Sequence, residues 1–301
     1  MSDSRFIQAL AAQLEDDDLV DASRQRVLID LRQFESWYKG TYGNELDAGD
    51  LALTSVDLAE FRTYLLRTCQ PNTVERKFAS IRKALKLLAP ALLTGLRMPK
   101  LPTQAKPAPS GFTKKERLSI LRAASKLSPR DKAIVMLAMW TGGRASSLAA
   151  AKLSKLQLGA RSGSIEFDVA KGSKSYAVPL NVEAREALGE WLTERPPVRH
   201  DFLFTSEKYP FEAISRWAIH DVWHRRLAKH LPKELGEKLK GSHQARHGLA
   251  RLLLDQGVPL PDVAAILNHS SVATTANIYC RPSERDLREA LDKAVGEEGE
   301  G

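Results

Sequence analysis

Three short segments in the second half of the chain contain side chains that could act on a phosphate group. In the first, His243 and Arg246 are three residues apart, so they would share one face of a helix. Ser242 is a suitable N-cap, and we therefore predict that both side chains lie in the first helical turn, where backbone N–H groups favour anions. A surface pair without a ligand is the commoner explanation of such a pair taken alone.

The other two segments each combine a helix-ending signal with a side chain that could do chemistry. Thr141-Gly-Gly-Arg144 ends an apolar helix at two glycines, and its arginine can offer a planar fork to an anion or form a structural ion pair. Asn268 is predicted to end a later helix in the left-handed conformation, which would hold His269 rigidly. Tyr279 follows as a candidate nucleophile, although a lone tyrosine is more often a half-buried packing residue.

The composition is that of a globular protein of about two domains. The chain has 301 residues, 43% of them hydrophobic and 27% charged, with a formal net charge of +8. This charge is compatible with a nucleic-acid partner but does not require one. Cys69 and Cys280 cannot form a disulfide framework, and neither a zinc spacing nor an apolar run of the ~18–20 residues that span a membrane is present in the sequence. We expect a cytoplasmic protein.

The first hundred residues are predicted to form helices with an uneven charge distribution. Residues 1–60 contain 13 acidic and 5 basic side chains, whereas residues 61–100 contain 1 and 9. Pro71 suits the first turn of a helix that continues over 73–88, and the apolar stripe of that helix leaves most of its basic side chains on another face. The candidate DNA-binding residues there are Arg76, Lys77, Arg82, Lys83 and Lys86. Two ordinary solvated helix faces would give the same charge pattern.

A segment rich in proline, 99–110, separates this part of the chain from the next. Repeated proline predicts an extended linker, which gives a helical domain over 1–98, a second domain over 111–295 and an acidic tail over 296–301. Thr113 and Glu116 have capping-box spacing. Two β-prone runs within 164–180 flank Lys171 and Lys174 and predict a hairpin. The other predicted elements are helices over 113–127, 130–141, 181–194, 211–230, 243–256, 259–267 and 283–295.

Together these segments resemble the tyrosine recombinase (phage integrase) family, which includes the Xer proteins. Thr141–Arg144, His243–Gly257 and Leu267–Tyr279 are similar to family motifs in the same order, and Lys171 matches the position of the family's lysine. Gln70–Leu88 resembles the end of the family's amino-terminal domain. The resemblance covers almost the whole chain. It implies a mainly α two-domain architecture: a helical, SAM-like core-binding domain, then a catalytic domain with a small β-hairpin or sheet.

The resemblance implies a role for each residue of a phosphate-binding pocket. Tyr279 would attack a DNA phosphate and form a 3′-phosphotyrosyl intermediate, while Arg144 and Arg246 would hold the phosphate oxygens. Lys171 would protonate the leaving 5′ oxygen. The expected activity is site-specific recombination through a Holliday junction, for integration, excision or resolution of a DNA element.

The remaining roles concern the histidines and the partners. His243 would assist proton transfer at the nucleophile, His269 would donate a hydrogen bond to the phosphate, and Lys174 would contact DNA. No metal or other cofactor is expected. The implied partners are double-stranded DNA with inverted-repeat core sites and further copies of the chain, as a dimer on each site and a tetramer in the synapse. An accessory protein is a further expected partner; the protein would be nucleoid-associated, with no membrane contact.

The chain departs from the family pattern at three positions. Ser147 replaces the acidic residue that usually follows the first arginine by three positions, which affects arginine positioning more than the chemistry. Asn268 replaces a glycine, a mild change for a helix-ending residue. The interval from His269 to Tyr279 is one residue longer than the commonest spacing, so the segment that delivers the tyrosine is expected to differ.

Two other functions remain open at this point. One is an enzyme with the same nucleophile and pocket that relaxes or reseals DNA, similar to a type IB topoisomerase or a telomere resolvase. The other is a DNA-binding protein that has the fold without the activity, which Ser147 and the longer tyrosine interval would favour. Residues of the required types at all six catalytic positions argue for the recombinase.

Overall fold

The structure, a computed structural model, divides into two compact units, Met1–Lys106 and Pro107–Gly301. It describes residues 3–17, 21–47, 51–101, 111–168, 175–209, 212–269 and 271–279. Each unit has its own hydrophobic core. No helix within these ranges combines the length and the apolar character needed to cross a bilayer.

The amino-terminal unit is helical, as predicted. Phe34, Phe61 and Phe78 come from three different helices and meet in its core, with ring centroids 4.9 Å apart for the first pair and 6.1 Å apart for the second. Thr54 caps one helix through a reciprocal bond with Asp57. The described helices are α1 (Arg5–Glu15), α2 (Asp21–Tyr42), α3 (Ser55–Thr68), α4 (Pro71–Leu88) and α5 (Pro90–Gly95).

The basic helix α4 begins at Pro71 as predicted, but one of its basic side chains faces inward. Lys77 is 7% exposed, and its ammonium lies 3.3 Å from the carboxylate of Asp30 and also contacts Gln33. Arg76 pairs with the same carboxylate. Although burial acts to raise it, hydrogen bonds from Arg76 and Ser80 hold the pKa of Asp30 below its usual value. The prediction that Lys77 contacts DNA is therefore corrected, because this side chain neutralises a buried carboxylate.

The other basic residues of α4 remain nearer to solvent. Lys83 is partly exposed and pairs with Asp17. Arg82 and Lys86 are exposed, and neither forms an ion pair with any residue in the described ranges. They form the part of the predicted basic face that is open to a partner.

The second unit surrounds α7 (Pro129–Thr141), whose middle part is fully buried. Residues Ala133–Met139 are all buried and apolar, so this part of the helix is apolar around its whole circumference. The helix packs against α9 (Val182–Glu194) and α12 (Ser242–Asp255). The capping box of Thr113 and Glu116 at the start of α6 is confirmed. The described helices of this unit are α6 (Lys114–Ala124), α7 (Pro129–Thr141), α8 (Ala145–Ala149), α9 (Val182–Glu194), α10 (Arg216–Asp221), α11 (Lys233–Lys238), α12 (Ser242–Asp255), α13 (Leu260–Ile266) and α14 (Val272–Tyr279).

A small antiparallel sheet lies between α8 and α9 in the sequence. Its strands are β1 (Leu156–Leu158), β2 (Gly163–Phe167) and β3 (Tyr176–Pro179), in the order β1-β2-β3. Ile165 pairs with Leu156 on one side and with Val178 on the other. The predicted strands on either side of the lysine segment are confirmed, and β1 is an addition that the sequence pattern did not indicate. The lysine segment itself, 169–174, lies outside the described residues.

Two helix predictions differ from the structure. The helix predicted over 211–230 begins only at Arg216, because Ala213 pairs with Thr205 in an isolated bridge, and it continues as a π-helical turn over Val222–Leu227. The predicted N-cap Ser242 is instead the first residue of α12. Gly241, with φ 77° and ψ −161°, occupies the cap position because it can adopt that backbone conformation. The predicted helix over 283–295 lies outside the described residues.

Candidate active site

The buried side chain of Arg246 joins the three motif segments. Arg246 is 1% exposed, and its Nη1 donates a hydrogen bond of 3.0 Å to the carbonyl oxygen of Gly142. Its Nη2 donates to the carbonyl oxygen of Leu267. Since Gly142 ends α7, Arg246 lies on α12 and Leu267 ends α13, one guanidinium holds together segments that are far apart in the sequence.

The turn after α7 is built to bring its backbone close to the other two segments. Gly142 has φ +64°, and a Cβ atom at this position would lie 2.7 Å from Cδ2 of Leu267. The hydroxyl of Thr141 donates to the carbonyl of Leu137 and accepts from the N–H of Gly143, which fixes the turn. Arg144 follows with its side chain exposed to solvent. Glycine is therefore required for close approach, and the exposed side chain of Arg144 is accessible to a ligand.

The end of α13 confirms the prediction for Asn268. Its φ is +47°, its N–H donates to the carbonyl of Ala265, and the N–H of His269 donates to the carbonyl of Ala264. This pair of bonds is a Schellman motif. His269 is thereby fixed by its backbone, and its Nδ1 lies 2.6 Å from the hydroxyl oxygen of Thr275 in α14.

The two arginines place a positive field on the histidines of the pocket. Burial, followed by Arg246 and Arg144, lowers the pKa of His269 to about 4. The same causes lower the pKa of His243. The rings of His247 and His243 meet edge to face, with their centroids 4.5 Å apart. Burial, followed by interactions with His243, Arg246 and His269, lowers the pKa of His247 to about 4. An electropositive pocket with neutral imidazoles is suited to binding an anion and donating hydrogen bonds to it.

Tyr176 at the start of β3 is a residue of this pocket that the sequence did not indicate. Its hydroxyl is buried and lies close to Ser147, whose side chain acts to lower the pKa of Tyr176. Burial nevertheless raises the pKa overall, and Arg246 and Arg144 oppose that effect. A hydroxyl therefore lies beside Ser147, at the position where the family pattern has an acidic residue.

The structure brings together four of the six predicted catalytic residues and leaves two to be placed. Arg144, His243, Arg246 and His269 interact electrostatically with one another. Lys171 and Lys174 lie outside the described residues. Tyr279 is the last residue of α14, and its side chain is outside the described part of the structure.

Thr275 is a second residue that sequence reasoning missed. Its side chain is 0% exposed and contacts His269. Thr275 lies within the Leu267–Tyr279 motif, and no local rule distinguishes a threonine that bonds a histidine from one that faces solvent. Its role therefore becomes visible only in the structure, where its buried hydroxyl meets the histidine ring.

Comparison with known proteins shows the family of the chain. The model of the phage integrase family matches residues 111–285. Since this match covers more than half of the sequence, the chain belongs to the phage integrase family. The matched region begins where the described part of the second unit begins and includes every predicted catalytic residue.

The chain is similar to curated relatives and to solved structures. It is 28% identical over 199 residues to tyrosine recombinase XerA of Pyrococcus furiosus, covering 66% of this chain and 65% of that one. It is 33% identical over 165 residues to tyrosine recombinase XerC of Corynebacterium glutamicum, covering 55% and 51%. The chain therefore spans less than two thirds of the length of these relatives. The Tn1549 transposon integrase, solved in complex with transposon right-end DNA, has a similar fold, with a TM-score of 0.73 at 16% identity over 97% of this chain and 100% of that one.

The predicted fold class is confirmed by this likeness. The chain is mainly helical with a small antiparallel sheet in the second unit, and the similar structure matches it over nearly its full length.

Proposed function

We propose that the chain is a tyrosine-type site-specific DNA recombinase whose pocket binds the phosphate at which a strand is cut. The observation that supports this most strongly is the pair of bonds from Arg246 to the carbonyls of Gly142 and Leu267. These bonds support the proposal because they join the segments that contain Arg144, His243 and His269. A phosphodiester is the kind of anion that two guanidiniums and two neutral imidazoles would bind.

In the proposed reaction the phenolic oxygen of Tyr279 attacks the phosphorus. A bond from phosphorus to the tyrosine oxygen forms as the bond to the 5′ oxygen breaks, which gives a 3′-phosphotyrosyl link and a free 5′ hydroxyl. His243 would take up the tyrosine proton, and Lys171 would donate a proton to the 5′ oxygen. Arg144 and Arg246 would stabilise the charge on the non-bridging oxygens.

Rejoining is the reverse reaction with a different strand. A 5′ hydroxyl from the partner strand would attack the phosphotyrosyl group, so the energy of the original bond is retained and no external energy source is needed. One exchange of this kind gives a Holliday junction, and a second exchange resolves it.

The proposed partner is double-stranded DNA with an inverted-repeat core site. The amino-terminal unit would act as the core-binding domain through the exposed side chains Arg82 and Lys86, with Arg76 and Lys83 as further proposed contacts. Lys174 is a proposed contact of the second unit. An inverted repeat requires two copies of the chain on each site, and strand exchange between two sites requires four.

The proposal is tested by trapping the covalent intermediate. Wild type, Tyr279→Phe and the control Tyr209→Phe, whose ring is half exposed in the same unit, are incubated with fragmented genomic DNA. The mixtures are denatured in SDS, and DNA bound covalently to protein is sequenced. We expect adducts from wild type and from the control but none from Tyr279→Phe, and the adducts should converge on an inverted repeat.

The other outcomes distinguish the alternatives. Adducts that persist in Tyr279→Phe would identify a different nucleophile. DNA binding without adducts in any protein would favour the non-catalytic DNA-binding protein. Adducts at scattered sites, with relaxation of supercoiled DNA and without exchange between two sites, would favour the topoisomerase-like enzyme.

A further inference from the structure

Thr275 is the most buried residue of α14 among those whose side chains the structure describes. Its side chain is fully buried, and its hydroxyl oxygen lies 2.6 Å from Nδ1 of His269. A distance this short indicates a hydrogen bond between the two groups. Thr275 therefore contacts a residue of the phosphate pocket from a helix other than the three, α7, α12 and α13, that Arg246 joins.

Two contacts fix His269, one through Nδ1 of its ring and one through its backbone. Its N–H donates to the carbonyl of Ala264, after the left-handed turn at Asn268. The hydrogen bond at Nδ1 then sets the rotation of the ring. Because both constraints act together, Nε2 has a fixed direction.

The protonation of the ring determines what Nε2 can do. With a pKa of about 4, the ring is neutral near pH 7, so only one of its two nitrogens bears a proton. If the threonine hydroxyl donates to Nδ1, that nitrogen is the acceptor and the proton is on Nε2. If the hydroxyl accepts from Nδ1–H, then Nε2 is an acceptor and would repel a phosphate oxygen.

The same contact also connects the pocket to the helix that contains the proposed nucleophile. Tyr279 follows Thr275 by four residues in α14, about one helical turn. A bond between His269 and Thr275 therefore fixes the start of that turn relative to the pocket.

We propose that Thr275 is a positioning residue, which donates its hydroxyl proton to Nδ1 of His269 and so presents Nε2–H to the DNA phosphate. The inference rests on the proposed function for the identity of the ligand, whereas the choice of tautomer does not depend on it. A threonine hydroxyl is suited to this role because it can donate to an imidazole nitrogen without adding charge to the pocket.

The tautomer is tested on the free protein by nitrogen-15 NMR of the histidine side chains at pH 7. We expect the His269 ring to be the Nε2–H tautomer in the wild type and in Thr275→Ser, and a mixture of tautomers in Thr275→Val. The control Thr193→Val removes an exposed helical hydroxyl that bonds only to a nearby carbonyl, and it should leave the His269 signals unchanged. A wild-type ring protonated at Nδ1 would overturn the proposal.

The consequence for the reaction is tested by single-turnover cleavage of a core-site DNA. Thr275→Val should slow adduct formation on the order of 10-fold or more, with DNA affinity unchanged, because His269 loses its fixed donor. Thr275→Ser should retain most of the rate. Equal rates for Thr275→Val and the wild type would also overturn the proposal. If the wild type forms no adduct while the NMR result holds, the proposed function fails and the assignment of the tautomer stands.

Discussion

Nη1 of Arg246 and the carbonyl oxygen of Gly142 are 104 residues apart in the sequence and 3.0 Å apart in the structure. The second Nη of the same guanidinium reaches the carbonyl of Leu267. A planar group with five N–H donors can satisfy two carbonyls in different directions, which a lysine ammonium on a single flexible stem cannot reproduce. This side chain therefore has a structural function in addition to its proposed contact with phosphate.

Replacing Arg246 by lysine should destabilise the second unit. The buried carbonyls of Gly142 and Leu267 would lose a donor, at a cost of about 1–3 kcal/mol. The matched control is Arg251→Lys on the same helix, where the arginine forms an exposed pair with Asp255 and the expected change is below about 0.5 kcal/mol. Urea unfolding followed by circular dichroism measures both, and equal losses in the two variants would contradict the structural role of Arg246.

Gly142→Ala should also be destabilising, by about 1–3 kcal/mol. The new methyl group would lie 2.7 Å from Cδ2 of the fully buried Leu267, in a backbone conformation with φ +64° that alanine rarely adopts. Gly189→Ala in α9 is the control, because a Cβ atom there meets nothing within 4 Å. This substitution should stabilise the helix by roughly 0.5–1 kcal/mol, since alanine is the better helix former. Thermal unfolding of both variants checks the prediction, which fails if Gly142→Ala has the melting temperature of the wild type.

Two basic residues of α4 should have different roles, Lys77 in stability and Lys86 in DNA binding. Lys77→Met removes a partner of the buried Asp30, so we expect a loss of about 1–3 kcal/mol of stability. Lys86→Ala should leave stability unchanged and weaken DNA binding, with a dependence on salt concentration that is shallower by about one unit of slope. Binding isotherms at several salt concentrations measure this. A Lys86→Ala protein with the wild-type salt slope would exclude Lys86 from the DNA contact.

Acid should destabilise the second unit through its histidines. The pKa of His247 is about 4 in the folded protein and ordinarily 6.5, so the unfolded chain takes up the proton first. Its contribution to stability is complete above pH 6.5 and is lost as the pH falls towards 4. After allowance for solvent around a partly exposed ring, the loss is on the order of 1 kcal/mol.

The measurement for this prediction is the free energy of unfolding at pH 7, 6 and 5 for the wild type and His247→Gln. The wild type should lose more stability than the variant over this interval. Parallel curves would show that His247 does not titrate with a depressed pKa in the folded protein.

Several elements follow from residues that are close together in the sequence. Pro71 begins α4, Thr113 and Glu116 form a capping box, and Asn268 ends α13 with a positive φ. Each of these signals acts through hydrogen bonds or steric limits within a few residues, so a sequence pattern is sufficient to predict it.

Other features depend on partners that are remote in the sequence. β1 has three residues and exists because β2 pairs with it. Lys77 was predicted to face DNA, but Asp30 on another helix draws it into the core. Gly241 took the cap position expected of Ser242 because the chain enters α12 with φ 77°.

By itself, the sequence determined most of the helical segments, the caps at Thr113 and Asn268, and the residue types of a phosphate-binding site in family order. Only the tertiary structure decided that Arg246 contacts the carbonyls of Gly142 and Leu267, that Tyr176 lies beside Ser147, and that Thr275 bonds to His269. The physical reason is the range of the interactions. Helix caps and turns are stabilised within one or two turns of chain, whereas a pocket forms when buried polar groups from separate elements satisfy one another after the core has packed.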